Sequence, residues 1–311
     1  MEAKPRWRFP VMLPKISVLM SVYNGSSYLH ESVETIINQT FTDFEFIIIN
    51  DGSTDKSESI LQKFQKRDKR IQLISRGNKG LTATLNEGLG YAQGQYIARM
   101  DADDIAFPDR FAKQVEFLDQ NPDYVAVGSR VLLIDPEGLS ICPFAQQTSH
   151  EEIDNEHMAG HGGSIVHPAV MLRRSAVQRI NGYREEMQIA EDFDLFLRLA
   201  EIGRLANLPD ILLKYRMHPE SIGHSHRLEQ KRIANLAVMD AHRRRKLAPP
   251  TKIDSGGEHQ SSLSELHRKW AWWALGAGNV ATARKHALLA LTKKPVSSQS
   301  WKVLACAMRG Y

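Results

Sequence analysis

The chain has 311 residues, 42% of them hydrophobic and 24% charged, which excludes a disordered polymer and leaves room for one large core plus an appendage. Its two cysteines, Cys142 and Cys306, lie far apart and outside C-x-x-C spacing, so no disulfide framework or thiolate zinc site is expected and a reducing, cytoplasmic setting fits. A net charge of +4 favours anionic ligands such as nucleoside diphosphates, calls for no nucleic acid, and admits peripheral contact with the inner face of a membrane.

The opening arm, 1–13, carries Lys4, Arg6, Trp7, Arg8 and Phe9 but no apolar core of a signal peptide, and reads as a solvated segment or one resting at a bilayer interface. No apolar run reaches the ~18 residues of a membrane span. From Lys15 to Tyr23 a continuous apolar run ends in Asn24-Gly25, the pattern of a buried parallel strand followed by a turn. Leu29, Val33, Ile36 and Ile37 recur at helical spacing, and Phe44 to Asn50 forms a second buried strand. Ser53 and Thr54 are candidate caps for a helix bearing Ile60, Leu61 and Phe64. A third strand at Ile71–Ile74, a helix with Leu81, Leu85 and Leu89, and a fourth strand at Gln95–Met100 complete the repeat. Short apolar strands alternating with helices predict an α/β fold with a mainly parallel sheet and a ligand site at the C-terminal strand ends.

After about residue 108 the pattern loosens. A Pro-initiated helix bears Phe111, Val115 and Leu118; strands are expected at Tyr124–Val127, His167–Leu172 and Ile211–Arg216. A helix is expected from Glu191 to Glu201, and a basic one near 227–245. Pro249-Pro250 and the polar stretch from Ser255 to Ser262 read as a linker. Beyond it, Trp270, Trp273, Ala283, Ala287, Ala290, Leu291 and Pro295 are spaced like half of a tetratricopeptide-type helical pair, which predicts a short helical appendage. The expected division is thus an arm (1–13), an α/β domain (14–223), a helical extension (224–248), a linker (249–262) and the helical appendage (263–311).

The chemistry concentrates at strand ends. Asp101-Ala102-Asp103-Asp104 follows the fourth strand directly, and two carboxylates one residue apart in such a turn can converge on Mg²⁺ or Mn²⁺. A helix-capping acidic turn is the plainer alternative. Asn50-Asp51-Gly52-Ser53-Thr54-Asp55 ends the second strand on the same edge, where Asp51 is placed for a base or ribose or serves only an Asx-turn. Asn78-Lys79-Gly80-Leu81 opens the third helix with backbone N–H groups suited to a polar ligand.

In order along the chain, Ser21 to Gly25 (with Tyr23 and Asn24), Asn50 to Asp55, Asn78 to Leu81 and Asp101 to Asp104 resemble the donor half of inverting family 2 glycosyltransferases of the bacterial cell-surface polysaccharide type. The resemblance spans about 14–220 and implies a GT-A fold, a nucleotide-sugar half (14–104) and an acceptor half (105–223). It implies a donor site drawn from these four motifs, with Tyr23 and Asp51 on the base, Asp101 on ribose or metal, and Asp103 as principal ligand of Mg²⁺ or Mn²⁺. Glu191-Asp192 resembles the acidic pair of that family, which makes Asp192 the expected base that deprotonates the acceptor hydroxyl. Tyr215 to Ser221 resembles its downstream segment, with Arg216 on the diphosphate and His218 in the metal shell. His167, Arg173 and Arg174 are candidates for the acceptor groove. The implied partners are a nucleotide-sugar donor, UDP-linked first, and a glycan or lipid-linked acceptor.

Other readings of the α/β pattern fit less well. A nicotinamide oxidoreductase lacks its G-x-G-x-x-G, since the first strand runs into a turn with Gly25 alone. A D-x-D phosphohydrolase places its motif on the first strand, not the fourth, and a sugar nucleotidyltransferase wants a glycine-rich basic loop after the first strand. A nucleotide- or carbohydrate-binding module without turnover stays open, with Asp103 and Asp192 together speaking for catalysis.

Overall fold

A computed structural model describes residues 13–219, 227–250 and 262–310; the expected arm up to residue 12, the linker residues 251–261, and Glu220 and Ser221 lie outside them. Three βα repeats and a fourth strand open the fold: β1 (Ile16–Val22), α1 (Leu29–Ile37), β2 (Phe44–Asp51), α2 (Ser57–Arg67), β3 (Ile71–Arg76), α3 (Leu81–Tyr91) and β4 (Tyr96–Met100). Strands β1, β2, β3 and β4 pair in parallel in the order β3-β2-β1-β4. Parallel register brings their C-terminal ends to one edge of the sheet.

Strand periodicity explains the layering. Ile16, Val18, Met20 and Val22 of β1, with Phe44, Phe46 and Ile48 of β2, face one apolar cluster shared with Leu29, Val33 and Ile36 of α1. Leu19, Ile47 and Ile49 face the opposite cluster, which holds Leu85 of α3. Both faces are covered, which is why these strands read as unbroken apolar runs.

The second half inserts antiparallel strands into the same sheet. It runs through β5 (Ile105–Ala106), α4 (Arg110–Gln120), β6 (Tyr124–Ile134), β7 (Ser140–Phe144), α5 (His150–Met158), β8 (Met171–Arg173), α6 (Arg174–Arg179), α7 (Glu191–Leu199) and β9 (Arg204–Arg216). The sheet continues β4-β8-β6-β9-β5, with β7 on β6; β8 is antiparallel to both β4 and β6. Three expectations are corrected here. The helix after β2 starts at Ser57, not on a cap at Ser53 or Thr54, because Ser53 Oγ accepts from Asn24 N–H and Thr54 N–H donates to Asn24 Oδ1. The expected strand at His167–Leu172 begins as a 3₁₀ turn, His167–Ala169, since Pro168 lacks the N–H a ladder needs. The last strand reaches back to Arg204 and passes Pro209 by a register shift, Leu208 facing Ser129 and Ile211 facing Arg130, so the proline sits in a bulge rather than ending the strand.

Helix α8 (Arg227–Arg244) packs Ile233, Ala237, Val238 and Ala241 against Phe193 and Leu197 of α7. Helices α9 (Leu263–Gly276), α10 (Val280–Lys293) and α11 (Ser298–Arg309) follow, one more than a helical pair. Ala271, Ala274, Ala283, Ala287 and Ala290 are fully buried, and small side chains there allow close helix approach around a fully buried Trp270. The Asn279 amide donates to the Ile141 carbonyl of β7 at 3.0 Å, tying the α9–α10 turn to the sheet.

Candidate active site

The turns at the C-terminal strand edge are bound to one another. Beyond β1, Gly25 N–H donates to Ser57 Oγ and Ser26 N–H to Asp55 Oδ2, each at 3.0 Å, so the turn after β1 is laced to the turn after β2. Asn24 takes a left-handed φ of 50°, a conformation asparagine tolerates, with its side-chain oxygen bonded to Thr54. Asp51, buried at the end of β2, accepts from Lys79 N–H at 2.8 Å, Gly80 N–H at 3.0 Å and the Arg76 guanidinium. Asn78 Nδ2 donates to the Asp51 carbonyl at 3.0 Å. Tyr23 stands 56% exposed beside them, an aromatic face open to a ligand. Ser21 lies half-buried on the same strand end.

The acidic turn closes this edge at β4. Asp101, Asp103 and Asp104 each present a carboxylate oxygen within 4.8 Å of the others. Asp101 Oδ1 accepts from Arg99 Nη2 at 2.5 Å, and His218 Nε2 lies 2.9 Å from Asp103 Oδ2. Asp104 is 1% exposed; its Oδ1 accepts from the Arg216 backbone N–H, while its Oδ2 has no hydrogen-bond partner. Burial drives the Asp104 carboxyl well above the usual carboxylate range, and the charges of Asp103 and Asp101 push the same way. Burial also raises Asp101, with Asp103 adding to it and Arg99 opposing. Carboxylate oxygens plus one imidazole suit a hard divalent cation, and the orphaned Asp104 oxygen shows unused acceptor capacity in the turn, so the residues fit Mg²⁺ or Mn²⁺.

Glu191 and Asp192 open α7 and share this field. Phe193 N–H donates to Asp192 Oδ1 at 2.7 Å. Burial raises the Asp192 carboxyl, and the Asp101 charge raises it further. Glu191 is 5% exposed and its Oε2 lacks a partner; burial and the Asp192 charge push it up to about 7.

Four expected site residues sit differently from their predicted places. Arg216 faces inward: Nε donates to the Asp103 carbonyl at 2.8 Å, Nη1 to the Pro136 carbonyl at 2.9 Å, and Nη2 to Glu31 Oε2 at 2.8 Å, with the guanidinium over the Tyr28 ring. With its fork so engaged, Arg216 braces the acidic turn from behind instead of presenting itself to a diphosphate. His167 is 7% exposed and bonds Tyr183 Oη at 2.8 Å, so it lines no open groove. Arg173 pairs with Tyr96 of β4 in register and donates to the carbonyls of Tyr124 and Asn121, and Arg174 donates to the Gly94 carbonyl. Both therefore lie at the N-terminal end of β4, opposite the site.

Sequence reading missed Arg99, 1% exposed beneath the cluster, and Arg110, fully buried under it with Nη2 on the Arg99 carbonyl at 2.8 Å. An arginine inside an otherwise apolar central strand is a usable signal, because a buried guanidinium requires a nearby carboxylate or carbonyl.

The chain is similar to known proteins in sequence and in fold. The family described as "Glycosyl transferase family 2" matches residues 17–180. An uncharacterised glycosyltransferase of Haemophilus influenzae is 37% identical over 71% of this chain and 71% of its own. The O-antigen biosynthesis glycosyltransferase WbnJ of Escherichia coli is 32% identical over 68% of this chain and 82% of its own. Among solved structures, TarS 1–349 of S. aureus in complex with UDP superposes with a TM-score of 0.61 at 17% identity, covering 96% of this chain and 92% of that one. The mannosyltransferase PcManGT of Pyrobaculum calidifontis, in complex with GDP-Man and Mn²⁺, does so with a TM-score of 0.58 at 17% identity, over 97% and 86%. These likenesses identify the fold as GT-A, and the chain belongs to glycosyl transferase family 2.

Proposed function

We propose that this enzyme transfers a sugar from a UDP-sugar to an acceptor hydroxyl with inversion, assisted by Mg²⁺ or Mn²⁺, in the assembly of a cell-surface polysaccharide or lipid-linked oligosaccharide. The observation that carries the reading is the convergence of Asp101, Asp103 and Asp104 at the strand edge that also displays Tyr23, with the charge of Asp101 acting on Asp192 at the start of α7. The likeness to WbnJ and the UDP bound to TarS support the acceptor class and the donor base.

In this reading Tyr23 stacks on the base, and Asp51, its carboxylate taken up by Lys79, Gly80 and Arg76, acts on the base through the Asn78–Gly80 turn whose backbone it holds in place. Asp101 and Asp103, with His218 orienting Asp103, hold the cation, which when bound offsets charge on the leaving diphosphate. Asp192 accepts the acceptor hydroxyl proton as that oxygen attacks the anomeric carbon and the bond to the diphosphate breaks on the opposite face. The N-terminus of α7 favours the ionised carboxylate that this step needs.

Thermal melting of the protein with nucleoside diphosphates and their sugar conjugates, with and without Mn²⁺, tests the donor and metal sites. A Mn²⁺-dependent rise with UDP, absent in Asp103→Asn, is expected. Asp192→Asn should keep that rise yet lose at least a thousandfold of transfer, within the range for a general base. A rise with guanosine nucleotides alone would replace the UDP assignment, and no rise with any nucleotide would remove the reading.

A further inference from the structure

The last three helices concentrate positive charge. From Ser262 to Gly310 stand eight lysines and arginines against one carboxylate, Glu265, so a segment of +7 rides on a remainder of −3. Part of that charge is turned inward. Lys285 Nζ donates to Asp135 Oδ2 at 2.5 Å, and Arg284 caps α11 through the carbonyls of Ala307 and Met308. Lys293, Lys294, Lys302 and Arg309 are exposed.

Three of those lysines surround an apolar tip. The α10–α11 turn carries Val296, 91% exposed, and Trp301 follows on the first turn of α11 at 56% exposure. Trp301 Nε1 donates to the Pro295 carbonyl at 2.9 Å, so the indole has its polar handle satisfied and offers only its ring. Arg268 Nη1 to Ser297 Oγ, and Ser264 Oγ to the Ala290 carbonyl, bring the start of α9 and its 41%-exposed Leu263 to the same end. Along α11 the exposed Trp301, Lys302, Ala305, Met308 and Arg309 fall within an arc of about 120°. The opposite end of the hairpin is the anchored one, at Asn279, a full α10 length of about 21 Å away.

We propose that the α10–α11 turn and the outer face of α11 form a docking surface for an anionic lipid bilayer. Flexible lysines are attracted to a negative headgroup plane without needing a shaped partner, while Val296 and Trp301 are placed to enter the interface between them. An acidic peptide would be recognised in a groove; a side chain as exposed as Val296 marks a protrusion. The surface is independent of the sugar-transfer reading, and its test contains no activity measurement.

The full-length chain is floated with vesicles of phosphatidylcholine alone and of phosphatidylcholine with phosphatidylglycerol, at low and high salt. Wild type should float only with the anionic vesicles and be released by salt, because the attraction is screened over a Debye length. With about fivefold per lysine near such a surface, the Lys293→Glu/Lys294→Glu/Lys302→Glu variant should lose at least a hundredfold in partition. Trp301→Ser and Val296→Ser should each lose several-fold with the charge intact. Lys63→Glu/Lys66→Glu/Lys69→Glu, on α2 and the turn just after it, makes the same charge change at other exposed positions and should float like wild type. Thermal melts confirm that each variant is folded. Absence of binding to anionic vesicles, equal loss in the α2 variant, or binding abolished by Lys4→Glu/Arg6→Glu/Arg8→Glu but not by the α11-side changes would each overturn the assignment.

Discussion

Gly52 follows β2 at a φ of 76°, and a Cβ there would meet the Asn78 nitrogen at 2.6 Å. Both the conformation and the space demand glycine, and the atom that would be displaced belongs to the turn that Asp51 holds. Gly52→Ala is therefore expected to cost about 1–3 kcal/mol of stability and to weaken nucleotide binding, read by melting and by nucleotide titration. Arg99 is the other residue on which the edge depends, since its guanidinium is the buried cation beside Asp101 and its field reaches Glu191. Arg99→Met leaves those carboxylates uncompensated, and a loss of about 3–5 kcal/mol in chemical denaturation is expected. The motifs Asn50 to Asp55 and Asp101 to Asp104 were legible because they recur in order at successive strand ends, a succession more specific than any one capping or Asx turn. The Arg216 fork was not, because an arginine beside an acidic motif reads alike whether it faces a ligand or the loop behind it.

Among elements, α10 has a reach that its distance from the acidic turn conceals. Lys285 and His286 of α10 both contact Asp135 Oδ2 after β6, the histidine at 3.1 Å. The next carbonyl, Pro136, accepts from Arg216, which in turn holds the Asp103 carbonyl. Burial opposes ionisation of Asp135, but His286 and Lys285 outweigh it and hold the carboxyl down to about 2. Asp135→Asn should raise amide exchange in the 101–104 turn and around 134–139 by severalfold while leaving α1 to α3 unchanged, measured by hydrogen–deuterium exchange. Unchanged exchange at 101–104 would mean that the relay stops at the β6–β7 turn. The helix α8 is held by a similar device, with Arg184 between the buried Asp194 and Asp240.

For the whole molecule, acid stability turns on buried imidazoles. His157 is fully buried against Phe193 and Phe196 with neither ring nitrogen hydrogen-bonded, and burial pushes its pKa down to about 4. Below its unfolded pKa near 6.5 the unfolded chain takes up a proton that the folded one refuses, so stability falls as pH drops from about 6.5 to 4. The loss attributable to His157 is on the order of 3 kcal/mol. His157→Phe keeps the ring packing and removes the titration, and its melting temperature should decline less steeply across that window. A second loss follows at lower pH, between about 3.8 and 2, as Asp135 becomes protonated in the unfolded chain and then in the folded one.

The order of strands and helices through Met100, their parallel pairing and the edge that carries the site follow from the sequence alone. Apolar runs of strand length separated by helical repeats admit few other arrangements, and Asp101 to Asp104 falls at a strand end by position. The second half was decided in three dimensions. A proline inside β9 is tolerated only because β6 shifts register beside it, and β8 keeps only the end of its expected strand because Pro168 turns the start into a 3₁₀ turn. The inward turn of Arg216, the burial of His167 and the contact of α10 with Asp135 join residues more than 60 positions apart or bury polar groups whose partners come from other elements. Local pattern encodes periodicity and turn chemistry, while the partner of a buried charge is a property of the packed molecule.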